Sequence, residues 1–278
     1  MRPLRIVGPC VIAALALVVL GQAATAGAAT YPLTGLPEIG RCVKLSTHTG
    51  VYRYKNCVVK SEGAKGTYEW EPGPGANGTF LAEAAEVKLE TVGKARVSCA
   101  SAELSGQWTG SKTASVTVAL RGCQSLERGC GNNPGKPNEI LTEEPVEGEL
   151  GFIEKGEKPK VGLDLKPKSP GTTLFTFTCG GPPETTAPEP WIVEGSVIGK
   201  YRYANHMQQT FGLLYQATSG KQIPQKFDEG LKDTPLATRT VLTEPPPKTE
   251  EAGLTLREEE TRKWIPGEFG EKLEVKAK

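Results

Sequence analysis

Apolar side chains recur at every second position along most of this sequence. Val87 and Leu89 alternate with Glu86, Lys88 and Glu90, and Ala95, Val97 and Cys99 alternate with Arg96 and Ser98. The same pattern returns at Val116, Val118 and Leu120, at Val161, Leu163 and Leu165, and at Phe175, Phe177 and Cys179. It continues through Phe211, Leu213 and Tyr215, then Leu254 and Leu256, then Leu273 and Val275. A period of two puts one face of an extended chain on a core and the other in solvent, which is the signature of half-buried antiparallel strands. Turn chemistry separates the runs at Gly73-Pro74-Gly75, Asn77-Gly78, Gly131 to Gly135 and Ser219-Gly220. No long helical period competes; Phe80 to Glu86 has room for two helical turns at most. The expected fold is therefore all-β, an antiparallel β-sandwich or jelly roll.

The first 29 residues stand apart from this pattern. Arg2 and Arg5 precede an apolar run from Ile6 to Leu20, and the small residues Ala23 to Ala29 follow. That order is expected of a secretory signal peptide, with cleavage between Gly27 and Tyr31. The run is shorter than the roughly 20 residues a spanning helix needs. Cys10 follows Pro9 inside the apolar run, which argues against lipidation, and Arg2 and Arg5 are not adjacent, so no twin-arginine signal is expected. The mature chain is expected to be secreted, extracellular or cell-wall associated, with no membrane contact after cleavage.

Six cysteines remain beyond that segment: Cys42, Cys57, Cys99, Cys123, Cys130 and Cys179. An even number in an exported chain reads as three disulfides. Cys42 and Cys57 bracket a turn-rich stretch whose closure is worth roughly 3 kcal/mol. Cys99 and Cys179 each follow two apolar residues on the buried face of a strand, so they are expected to pair across the core. Cys123 and Cys130 flank a short loop and are expected to pair locally. A Cys99–Cys123 bond looks poor if those strands form a hairpin turning near Trp108, because the two thiols then fall at different heights. Spacing alone leaves other connectivities open. With no C-x-x-C, and with His48 and His206 far from any cysteine pair, no metal site is expected.

Residues 30–75 carry their own cysteine pair and many glycines, and are expected to form a small N-terminal module on a main β domain spanning residues 76–278. Two proline-rich stretches, Gly180 to Pro190 and Glu244 to Glu251, are expected to be inserted loops, since proline cannot donate to a central ladder. No internal repeat of solenoid or propeller type is visible.

Several short segments stand in a fixed order along the chain. They are Gly66-Thr67-Tyr68-Glu69-Trp70 followed by Pro72-Gly73-Pro74, Leu89 to Gly93 leading to Cys99, and Ser105 to Thr113. Arg121-Gly122-Cys123, Val161 to Pro167 and Gly195 to Gly199 complete the set. The set resembles a family of exported, cysteine-containing β-rich proteins of uncharacterised function from high-GC Gram-positive bacteria, over roughly Gly40 to Gly230. The resemblance implies export and a β-rich fold. It brings no activity and no functional residue. The insert at Pro182 to Pro190 and the charged tail depart from the pattern.

The chemistry of known active sites is mostly missing. A serine hydrolase needs a nucleophile, a histidine base and a carboxylate; no G-x-S-x-G occurs, and Gly195-Ser196-Val197-Ile198-Gly199 has the wrong spacing. His48 lies in a turn and His206 in a connection, each read as a surface histidine. Glu86 and Glu90 share a strand face with Lys88 between them, and Glu258-Glu259-Glu260 is followed by Arg262 and Lys263, so both read as solvated, self-neutralising faces. Scarce aspartate argues against calcium loops. A formal net charge of +1 gives no electrostatic drive toward nucleic acid.

Four tryptophans remain as contact candidates. Trp70 and Trp191 are expected to close the core. Trp108, between Gly106 and Gly110, is expected at an exposed loop tip and is the candidate ligand-binding residue. No catalytic residue and no cofactor is assigned. The expected role is that of an exported non-catalytic protein engaged in extracellular binding, adhesion or envelope association. The alternative is a secreted carbohydrate-active hydrolase using two glutamates. No partner is specified; a cell-wall or extracellular glycan is the class considered.

Overall fold

The computed structural model describes residues 35–169, 171–180, 187–228, 231–241, 246–259 and 263–278. The expected signal peptide lies outside the described residues, as do residues 181–186 and 242–245 of the two proline-rich stretches. In chain order the strands are β1 (Glu38–Lys44), β2 (Tyr68–Pro72), β3 (Thr79–Ala84), β4 (Glu86–Thr91), β5 (Arg96–Cys99), β6 (Ser101–Trp108), β7 (Thr113–Arg121) and β8 (Gln124–Ser125). Then come β9 (Arg128–Gly131), β10 (Glu139–Leu141), β11 (Val146–Glu154), β12 (Lys160–Lys166), β13 (Phe175–Cys179), β14 (Glu189–Glu194), β15 (Val197–Arg202) and β16 (Gln208–Leu214). The last are β17 (Gln216–Thr218), β18 (Lys221–Ile223), β19 (Lys226–Phe227), β20 (Leu231–Lys232), β21 (Leu236–Arg239), β22 (Lys248–Arg257) and β23 (Ile265–Lys276).

The architecture is all-β and antiparallel, and its sheets close on themselves. An eleven-stranded sheet runs β16-β15-β12-β11-β7-β6-β3-β23-β1-β2 with β10 on β7. Pairing of β16 with β23 turns eight of these strands into a ring and leaves β1 and β2 as an extension from β23. A second ring, β13-β14-β21-β22-β4-β5-β8-β9, closes where β9 meets β13. Closure removes the exposed edges that an open sheet of this length would present. Strands pass from one ring to the other with a single residue between them: Ala85 separates β3 from β4, and Ala100 separates β5 from β6. A bend at one residue is how a long strand changes sheet.

The period-two residues point where the pattern predicts. Val87, Leu89, Val97, Val118, Leu163, Phe177, Leu213, Leu256 and Val275 are all buried. Phe80 to Ala84, with room for a short helix by sequence, is strand β3 with alternating exposure. The first ring is filled by aromatic rings: Phe211 lies 4.6 Å from Phe269, 5.5 Å from Tyr201 and 6.1 Å from Phe80, centroid to centroid. These rings need room on the facing strand. A Cβ at Gly106 would come within 2.3 Å of Phe80, and one at Gly267 within 2.3 Å of Phe211, so only glycine fits opposite each ring. In the second ring Phe177 stacks on Trp191 at 5.8 Å.

Three expectations are corrected here. Cys42–Cys57 forms as expected, but the other bonds are Cys99–Cys123 and Cys130–Cys179. The β6–β7 hairpin pairs Ser101 with Arg121 and Trp108 with Ala114, so its turn falls after Trp108. Continuing that register sets Cys99 opposite Cys123, at the same height. The same shift moves Trp108 from the loop tip into β6, where it is 3% exposed against Phe80. Finally, the proline-rich stretches are partly strand: β14 begins at Glu189-Pro190, and β22 begins at Lys248 and pairs with β21. Proline is tolerated at the start of a strand, where Pro190 sits.

Candidate functional site

The interior of the second ring has little room for a ligand. The cavity inside the second ring is about 20 Å³, lined by Val97, Leu120, Phe175, Leu254 and other apolar side chains. That is room for about one water. Concavity is found instead on the outside of the second ring, at a cleft of about 490 Å³ formed by the β4–β5 turn, the β8–β9 turn and the end of β21. This volume falls in the range typical of ligand sites, roughly 300–1,000 Å³.

Local backbone geometry builds the cleft. In the β4–β5 turn the Thr91 hydroxyl accepts from the Ala95 amide at 3.2 Å, and Lys94 takes a left-handed conformation with φ 72°. The β8–β9 hairpin turns on Leu126 and Glu127, both left-handed at φ 49° and 63°. Two-residue hairpins favour that backbone shape, but usually with asparagine or glycine. A leucine and a glutamate there cost of order 1 kcal/mol or more each, strain that tends to collect at binding sites. The result places Leu126 at the lip of the cleft, 80% exposed.

The lining is cationic. Lys94, Arg96 and Arg239 face one carboxylate, Glu127, with Ser98, Ser125 and Gln124 adding hydroxyl and amide groups. Arg239 is held from behind: its Nη1 donates to Glu189 Oε1 at 3.3 Å, and its guanidinium sits 5.9 Å from the Trp191 ring. Buried Glu189 also accepts from Trp191 Nε1 at 3.1 Å and from Arg128 at 3.1 Å, so one carboxylate is shared by two arginines. Lys94 lies 3.3 Å from Glu90. Hydrogen bonds from Lys88 and Lys94 hold the Glu90 carboxyl below its usual range, and it stays charged. Arg96 is exposed and has no ion pair among the described residues. A fixed arginine, a free arginine and a lysine in one concavity suit an oxyanion.

Two buried acid groups lie elsewhere. Asp164 on β12 is 3% exposed, and burial together with the Asp233 carboxylate pushes its carboxyl up to about 7. Burial also raises the Asp233 carboxyl, and the Ser196 side chain acts on both carboxyls in the lowering direction. At the base of the β1–β2 extension, burial raises Glu274 to about 7 and also raises Glu38. Lys276 sits between the Tyr52 and Trp70 rings, 4.2 and 4.5 Å from their centroids, and donates to the Cys57 carbonyl at 2.9 Å. None of these four carboxyls lines the cleft.

The tryptophans sort differently from the sequence reading. Trp70 and Trp191 are buried as expected, Trp108 is buried against expectation, and Trp264 is half-exposed. His48 bonds Thr67 Oγ1 at 3.2 Å in its turn, and His206 lies in the β15–β16 connection. Among the described residues no three His, Cys, Asp or Glu side chains come together as a metal-ligand set. The sequence reading missed the cleft because its residues come from three distant segments. The one signal it left is a pair of hairpin turns carrying Lys94 and Leu126-Glu127 where Gly or Asn would be usual.

The three disulfides are those of a chain folded in an oxidising environment. No helix among the described residues is long and apolar enough to cross a membrane. Comparison with protein-family models, curated proteins and solved structures finds no match to this chain.

Proposed function

We propose that this chain is an exported, non-catalytic binding protein of the cell surface whose ligand is an anionic cell-wall glycan. The observation that carries this reading is the cationic cleft of about 490 Å³ at Lys94, Arg96 and Arg239, beside a ring interior packed nearly solid. Export is proposed from the signal-peptide pattern of residues 1–29 and agrees with the disulfides. The non-catalytic reading draws on the burial of Asp164, Glu38 and Glu274, three carboxyls with raised pKa that a substrate does not reach.

Co-sedimentation with purified Gram-positive cell-wall glycan tests it. Wild-type protein should pellet with the intact wall and much less with wall stripped of its anionic polymer. The Lys94→Glu/Arg96→Glu double variant changes exposed residues and should lose most of the binding while still unfolding in one cooperative transition. Equal pelleting of variant and wild type would sink the proposal.

A further inference from the structure

A second cationic surface lies on the first ring, away from the cleft residues. Arg202 near the end of β15 places its guanidinium 4.6 Å from the Tyr203 ring and 5.4 Å from the Trp264 ring. Lys200, two residues earlier on the same face of the strand, sits 5.8 Å from the same Trp264 ring. The opposing residue on β16 is Gly212, where a Cβ would stand 3.3 Å from Arg202 Cβ and 3.7 Å from Trp264 Cε3. Arg202 and Trp264 thus both lie against the open face of Gly212.

We propose that this stack is a binding site for a uronic-acid polysaccharide, with Arg202 taking the carboxylate and Tyr203 the sugar face. A guanidinium held over aromatic rings at these distances keeps its charge, and its planar N–H fork suits a planar, bidentate acceptor. Arg202 is exposed, and among the described residues no carboxylate forms an ion pair with it. Tyr203 is 45% exposed and offers a flat surface beside it. A uronic acid carries both features, a ring face and a carboxylate, whereas a glycerol phosphate polymer has the charge without the ring.

The segment is also held in place before any ligand arrives. Tyr203 has φ 72° and Asn205 φ 64°, both left-handed. The Tyr203 carbonyl accepts from Gln208 Nε2 at 3.2 Å, and Asn205 Oδ1 accepts from the Ala277 and Lys278 amides at 2.8 and 3.2 Å. A bulky tyrosine in that conformation carries a strain cost. The cost holds an aromatic ring out at the surface beside a free guanidinium, as a preorganised stacking face requires.

Titration with oligogalacturonate, a neutral galactan oligomer of equal length and polyglycerol phosphate tests the assignment. Trp264 fluorescence gives a local readout, since Trp70, Trp108 and Trp191 are buried. Wild-type protein should bind oligogalacturonate at least tenfold more tightly than either of the other two. Arg202→Lys keeps the charge but loses the planar fork and should weaken that binding about tenfold. Tyr203→Asn suits the left-handed backbone, removes the ring and should weaken it likewise. The Lys94→Glu/Arg96→Glu variant should leave the Trp264 response intact, which separates this site from the cleft. Binding of galactan or polyglycerol phosphate as tight as that of oligogalacturonate, no oligogalacturonate binding by wild type, or unchanged binding by Arg202→Lys would each overturn the proposal.

Discussion

Cys130 on β9 and Cys179 on β13 are direct register partners, and the bond between them crosses the seam that closes the second ring. Among the described residues that seam has two register pairs, Cys179 with Cys130 and Thr178 with Gly131, with hydrogen bonds from the Gly180 amide to the Gly129 carbonyl and from Asn132 Nδ2 to the Thr176 carbonyl beside them. The disulfide is the covalent link across that short seam.

Removing it should loosen the ring. The bond spans 49 residues, and loop-closure entropy for that span is about 4 kcal/mol. The Cys130→Ala/Cys179→Ala variant should lose stability of that order in urea denaturation. Non-reducing peptide mapping of the wild type should recover Cys130–Cys179 and Cys99–Cys123. A peptide joining Cys99 to Cys179 would refute the register.

Trp108 should behave as core, not as a contact residue. It packs 5.6 Å from Phe80 inside the first ring. Truncation of a buried tryptophan costs about 3–5 kcal/mol. Trp108→Ala should therefore shift the denaturation midpoint strongly, and the milder Trp108→Phe should bind wall glycan as wild type does. Loss of binding by a stably folded Trp108→Phe would restore the ligand-binding reading.

The β17–β18 hairpin docks by its glycine. Gly220 has φ +77°, and a Cβ there would lie 2.3 Å from the Thr91 carbonyl carbon and 2.4 Å from the Val92 nitrogen, both backbone. Gly63 has φ +63° but open space around it. Both alanine substitutions cost the left-handed penalty of about 1–2 kcal/mol, and only Gly220→Ala adds a clash that no side chain can relieve. Thermal melting should show a clearly larger drop for Gly220→Ala; equal drops would contradict the close approach.

Stability should fall as pH rises through neutrality. Burial lifts Asp164 from 3.8 and Glu274 from 4.5, each to about 7. A raised carboxyl favours the protonated form in the fold, so its stabilisation is complete below the unfolded value and is lost as pH climbs past about 7. Carboxyls lowered by lysine partners, such as Glu90 and Glu250, act in the opposite sense but only in acid. Urea midpoints at about pH 5.5 and about pH 8.5 should thus differ, with the lower at 8.5. Asp164→Asn cannot ionise and should reduce the difference. Identical midpoints for the wild type would show that neither carboxyl is perturbed.

Strand content was legible because its cause is local. Alternation such as Val116-x-Val118-x-Leu120 states which side chains face inward wherever the strand ends up, and the structure buries all three. Chain entropy and spacing likewise pointed to Cys42–Cys57, whose partners lie close in sequence.

What the alternation could not state is where a hairpin turns. Placing the β6–β7 turn near Trp108 instead of after it exposed a tryptophan that is buried, and it set Cys99 and Cys123 at different heights when they are opposite. Side-chain period is blind to register between strands, which is decided by which residues can face each other at core density. Gly106 had to meet Phe80, and Gly267 had to meet Phe211. Ring closure, the cleft shared by Arg96 and Arg239, and the Arg202 stack on Trp264 all depend on that register. Each joins residues tens of positions apart, so only the tertiary structure could bring them together.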